Sequence, residues 1–147
     1  MNNEEDLTGT LVLVHPELQE DPVNKQGQIG MLLYANTDKD DMYVTFGKGE
    51  QALYSSSALL IPKRSKDIFA DLMENSKKIP VADFKTLFQV SNLLDLGTSL
   101  KAKEAMQLIA ANPSVIPRAT ITLEERLGLE TSQEAAVTET LAVGRGR

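Results

Sequence analysis

The sequence predicts an α+β fold: a small, strongly bent β-barrel of five short strands, followed by about three α-helices. Three observations lead there. Residues 7–61 hold short β-branched or alternating apolar runs separated by turn residues. After Pro62 the apolar spacing changes to the three-and-four step of amphipathic helices. A length of 147 residues favours one small domain with an appendage over two full domains.

The first six residues are acidic and polar and read as a disordered leader. Thr10 to Val14 is a β-branched, apolar first strand behind Gly9. His15 to Gln26 is a long polar connection containing Pro16 and Pro22. Gly27 to Ala35 reads as a second strand, with Ile29, Met31 and Leu33 on one face and Leu32 and Tyr34 on the other. Asn36 to Asp41 is turn chemistry. Met42 to Phe46 is a third strand, Gly47 to Glu50 a tight hairpin loop and Gln51 to Tyr54 a fourth strand. Ser55 to Ser57 turns the chain into a fifth strand, Ala58 to Ile61, which Pro62 ends. Val12, Val14, Ile29, Met31, Val44 and Phe46 are expected to form the barrel core. Leu11, Leu13, Leu32, Tyr34 and Tyr43 then point outward, which is more apolar surface than a free barrel leaves in water. The helices are expected to cover them; a partner-binding patch is the alternative.

Gly9, Val12 and Val14, then Gly27 to Gly30 (Gly-Gln-Ile-Gly), then Val44, Thr45 and Phe46 carry a resemblance. In that order they make residues 7–61 similar to a KOW-type SH3-like barrel. The resemblance implies a five-stranded SH3-like barrel that binds ligands near its long first loop, where Glu17, Glu20 and Asp21 stand. With Tyr34, Tyr43 and Tyr54 these are the candidate partner-binding residues. The first loop is longer than in the short KOW motif, and tryptophan, with which signalling SH3 domains grip proline-rich peptides, is absent. The whole chain also looks similar to small uncharacterised bacterial proteins, a resemblance that brings no function with it.

The helical segment is expected over 63–112. Ile68, Phe69, Leu72 and Met73 recur at helical spacing behind Ser65 as N-cap. Pro80 opens a second helix with Phe84, Leu87, Phe88, Ser91 and Leu94 on one stripe, and Gly97 stops it. Thr98 or Ser99 caps a third helix with Ala102, Ala105, Met106, Ile109 and Ala110 on its apolar face; Asn112 and Pro113 end it. Residues 113–147 read as a tail. Thr122 and Glu125 form a capping box for a short helix near 122–128, and the chain from about Thr131 is expected to be flexible.

Function is bounded mainly by exclusions. Without cysteine there is no disulfide, no thiol nucleophile and no cysteine zinc site. His15 is the only histidine, and its place before Pro16 suits a turn better than general-base work. Asn36, Asp38 and Asp40 match the 1, 3, 5 spacing of a calcium loop, but Asp41 stands at position six and Gly47 at position twelve, so a hairpin turn is the reading. Gly47-Lys48-Gly49 lacks the following helix that phosphate cradling needs. Pro62 to Lys66 is a short basic run that reads as a hinge. No catalytic residue, metal site or cofactor is assigned.

Charge sharpens the picture. Residues 1–61 carry a net −7, residues 62–112 a net +2, and the whole chain −6. A barrel of that charge repels phosphate. The N-terminus lacks a signal-peptide pattern, and no run is long enough to span a membrane, so the expected location is the cytoplasm. The expectation is a non-catalytic protein-interaction or adaptor module whose acidic loops meet a basic protein partner. The alternative is a ribosome- or RNA-associated KOW-like protein, with residues 63–66 and the arginines of the tail contacting phosphate. The sequence names neither the partner nor the oligomeric state.

Overall fold

The computed structural model describes residues 7–21 and 23–128. The leader over 1–6 and the flexible segment expected from Thr131 lie outside these described residues. The strands are β1 (Leu11–Val14), β2 (Ile29–Asn36), β3 (Asp41–Gly47), β4 (Glu50–Tyr54), β5 (Leu59–Pro62) and β6 (Thr120–Thr122). The helices are α1 (Ser65–Glu74), α2 (Val81–Leu96), α3 (Ser99–Ala111) and the short α4 (Ile116–Ala119). Residues 123–128 are also helical.

The five-stranded barrel is overturned. All six strands form one open antiparallel sheet in the order β4-β3-β2-β1-β5-β6. The physical reason lies past the helices. The chain returns at Thr120 and lays β6 along the outer edge of β5, pairing Thr122 with Leu60 and Thr120 with Pro62. With that edge taken, β4 and β6 end the sheet instead of meeting. There are also more helices than the three that the apolar periods predict: α4 was not expected, while the segment over 123–128 is the short helix expected from the Thr122–Glu125 box.

Both faces of the sheet centre are buried. Val12, Val14, Leu32, Met42, Val44, Leu59 and Ile61 form one cluster, closed by Leu123. Leu13 and Leu60 point the other way, into the helical cluster of Ile68, Leu72, Leu87, Val90, Met106, Ile109 and Val115. β1 and β5 are thus covered on both sides, which explains their unbroken Leu-Val-Leu-Val and Leu-Leu-Ile runs. Burying such side chains contributes roughly 1.5–3 kcal/mol each before ordering costs.

The expected phase of β2 is reversed. Leu13 pairs with Ile29 and Leu11 with Met31, so Ile29 and Met31 share the helix-facing side, while Leu32 pairs with Val44 in the opposite cluster. Gly30 explains the choice. A Cβ there would stand 2.5 Å from Val44 Cγ1 and 2.9 Å from Phe46 Cε1, so only glycine lets β3 close over this point. The register then shifts between Leu32 and Tyr34, leaving Leu33 as an extra residue.

Caps and turns fix the ends. In the β3–β4 hairpin, Lys48 (φ 55°) and Gly49 (φ 78°) are both left-handed, as a type I′ loop requires. Gly97 ends α2 at φ 78°. Thr98 Oγ1 accepts the Lys101 amide at 3.1 Å and caps α3. Arg64, not Ser65, holds the N-cap position of α1. Thr122 and Glu125 exchange reciprocal bonds, each 2.9 Å from the other's amide. Arg118 binds Asp71 through two bonds of 2.8 and 2.9 Å, tying α4 to α1.

Candidate functional site

The helices cover β1, β5 and the start of β2, and leave the rest of that sheet face bare. Leu11 and Leu13 pack toward the helical cluster. Tyr34 and Tyr43 do not; they stay exposed as a cross-strand pair with ring centroids 5.9 Å apart. Leu53 pairs with Tyr43 on the same face and is about half exposed (49 %). Met31, one rung back, and Leu33, at the bulge, are exposed too. Five large apolar side chains thus cluster on β2, β3 and β4.

The surroundings of this cluster are polar and acidic. Asn36 pairs with Asp41 one rung beyond the tyrosines, and strand alternation puts both on the tyrosine face. Asp38 lies exposed in the adjoining turn. Asn36 Oδ1 accepts the Lys39 amide, and Asp40 Oδ1 accepts the Ser56 amide at 3.0 Å. These carboxamide and carboxylate groups are committed to backbone turns. Among the described residues no group of three or more metal-ligating side chains converges. At the other end, Met31 enters a groove of about 430 Å³ between β1 and α3, lined by Leu11, Ala102, Lys103 and Met106.

The candidate residues of the first loop divide between surface and interior. Glu17 and Glu20 are exposed. Asp21 is buried, and so is Tyr54, whose hydroxyl donates to the Asp21 carboxylate at 3.0 and 3.2 Å. Asp21 also accepts the amides of Val23 and Lys25 at 3.0 and 2.9 Å. Burial, reinforced by the adjacent carboxylate, pushes the Tyr54 hydroxyl far above the ordinary tyrosine range. This pair is a clamp between loop and sheet. Its neighbour Lys25 binds Glu50 at 2.7 Å and sits 5.5 Å from the Phe46 ring centroid. Of the six candidate residues, the structure brings together Tyr34 with Tyr43, and Asp21 with Tyr54.

Sequence reasoning missed Met31, Leu33 and Leu53 as surface residues. The available signal was the alternation of β4, which puts Leu53 opposite Ala52 and Tyr54. His15 is held in its turn by the Glu17 amide, 3.1 Å from Nδ1. The helical layer has its own exposed apolar residues, Phe69, Met73 and Phe88 among them, but the ring pairs among the described residues lie on the sheet, at Tyr34–Tyr43 and Phe46–Tyr54. No helix among the described residues is long and apolar enough to cross a membrane. No family model, curated protein or solved structure matches the chain.

Proposed function

We propose that this chain is a non-catalytic protein-interaction module that docks a basic, extended segment of a partner protein on the outer face of β2–β4. The observation that carries the reading is the exposed Tyr34–Tyr43 pair, flanked by Leu53 on one side and Asp41 on the other. Monomers rarely leave a contiguous apolar patch of this kind without use. Tyrosine faces attract guanidinium and ammonium groups, and nearby carboxylates add Coulomb attraction and speed encounter. The net −7 over residues 1–61 acts in the same direction. Exposed aromatics on a sheet also suit base stacking, but phosphates would meet an acidic surround here, which favours the protein partner over RNA.

The test is a fluorescence-anisotropy titration with three probes: a labelled peptide alternating arginine and valine, its glutamate–valine counterpart, and single-stranded RNA. The arginine peptide should bind, weaken with salt, and shift the amide resonances of β2–β4. Replacing both tyrosines (Tyr34→Ala with Tyr43→Ala) should weaken it roughly tenfold, from two cation–π contacts of about 0.5–1 kcal/mol each. Equal binding of both peptides, or RNA binding at physiological salt, would refute the reading.

A further inference from the structure

We infer that β4 is a self-pairing edge, through which two copies of the chain join antiparallel into one continuous twelve-stranded sheet. The inference is independent of the partner proposed above and begins from the two ends of the sheet. The β6 edge is protected: it is three residues long, and the chain leaves it at once into the helix over 123–128. The β4 edge is five residues long, Glu-Gln-Ala-Leu-Tyr, and contains no proline and no lysine. Its backbone pairs with β3, and among the described residues no backbone bond reaches its outer side. An unblunted edge of this length is a template for another strand.

The chemistry of the strand selects a second copy as that strand. Its only charge, Glu50, is already neutralised by Lys25 at 2.7 Å. A basic foreign strand therefore finds no free counter-charge along the edge, whereas a neutral one meets no penalty. Under a two-fold centred on Ala52, the small residue meets itself. Gln51 then faces Leu53 of the partner subunit, and Glu50 faces Tyr54 of the partner subunit, so no like charges oppose each other. Gln51 and Leu53 are exposed and accessible. A two-fold that joins strands within one sheet runs perpendicular to it, so the two Tyr34–Tyr43–Leu53 clusters lie side by side on one face. A partner with two basic segments would then gain from binding both.

Sedimentation velocity of the full chain should show dimers at high micromolar concentration. Gln51→Lys with Leu53→Lys puts lysines directly opposite one another and should weaken the dimer roughly tenfold or more. Mixing that variant with one carrying Gln51→Glu and Leu53→Glu should restore a mixed dimer. A second measurement guards against misfolding: the chain has no cysteine of its own. Chains carrying Gln51→Cys mixed with chains carrying Leu53→Cys should oxidise to a disulfide-linked pair faster than either alone. A monomer at every concentration, a dimer indifferent to the lysines, or equal cross-linking by each single variant alone would overturn the inference.

Discussion

Removing one oxygen from the loop clamp gives the sharpest test of how this fold is held. Tyr54→Phe keeps the ring and its edge-on contact with Phe46, 6.3 Å between centroids, and deletes only the hydroxyl. Asp21 keeps the Val23 and Lys25 amides but loses a donor in a position with 7 % exposure. A hydrogen bond to a charged group is worth about 1.5–3 kcal/mol, and the two retained donors favour the middle of that range, about 2 kcal/mol. For a chain of this size that lowers the melting temperature by roughly 5 °C. The pH dependence supplies the signature. Folded Tyr54 keeps its proton to higher pH than an unfolded tyrosine, so above about pH 10 the unfolded chain binds fewer protons and stability falls as pH rises. The phenylalanine variant lacks this loss. Urea denaturation followed by circular dichroism should therefore show the gap between the two proteins narrowing on the alkaline side. An equally stable variant at neutral pH, or a gap that widens with alkali, would refute the clamp.

Two further outcomes test the helical layer. Leu87 is fully buried in the helical cluster while its neighbour Phe88 is 42 % exposed, so Leu87→Ala should cost about 2–5 kcal/mol and Phe88→Ser under about 1 kcal/mol, measured by urea denaturation. For Asp71, burial opposes ionisation, but hydrogen bonds from Arg118 and Asn75 outweigh it and hold the carboxyl below its usual range. The unfolded chain then binds more protons at acid pH, so this contribution is present above about pH 4 and is lost as pH falls further. Arg118→Gln should flatten that acid limb in a pH titration of stability and, because the pair is partly exposed, cost only about 1 kcal/mol near neutrality.

Local chemistry was legible where a residue type has few alternatives. Gly97 and Thr98 mark the α2–α3 junction because a left-handed stop and a hydroxyl cap are written into those side chains. The Thr122–Glu125 box and the Lys48–Gly49 loop are readable for the same reason. The phase of β2 was not, because Ile29 to Ala35 is apolar in both phases, and only the approach of Val44 and Phe46 to Gly30 decides between them. Phe88 looked like part of the α2 core stripe, since helical spacing shows which residues share a face but not how wide the buried arc is.

The candidate site follows the same division. That large apolar groups crowd the outer sheet face could be counted from the sequence; which of them the helices would cover could not. Covering depends on where α1–α3 dock. They settle over β1 and β5, burying Leu13 and Leu60 and leaving Tyr34, Tyr43 and Leu53 bare. Asp21 and Tyr54 read as surface groups, yet 33 positions apart they meet as a buried pair. The sequence by itself determined the α+β class, the caps at Thr98 and Thr122 and the stop at Gly97, the acidic first half and the absence of cysteine chemistry. Tertiary structure alone decided that the sheet stays open, because a three-residue strand from beyond the helices occupies the edge that closure would have used. Such long-range pairing rests on the position of the whole helical layer, which no local pattern encodes.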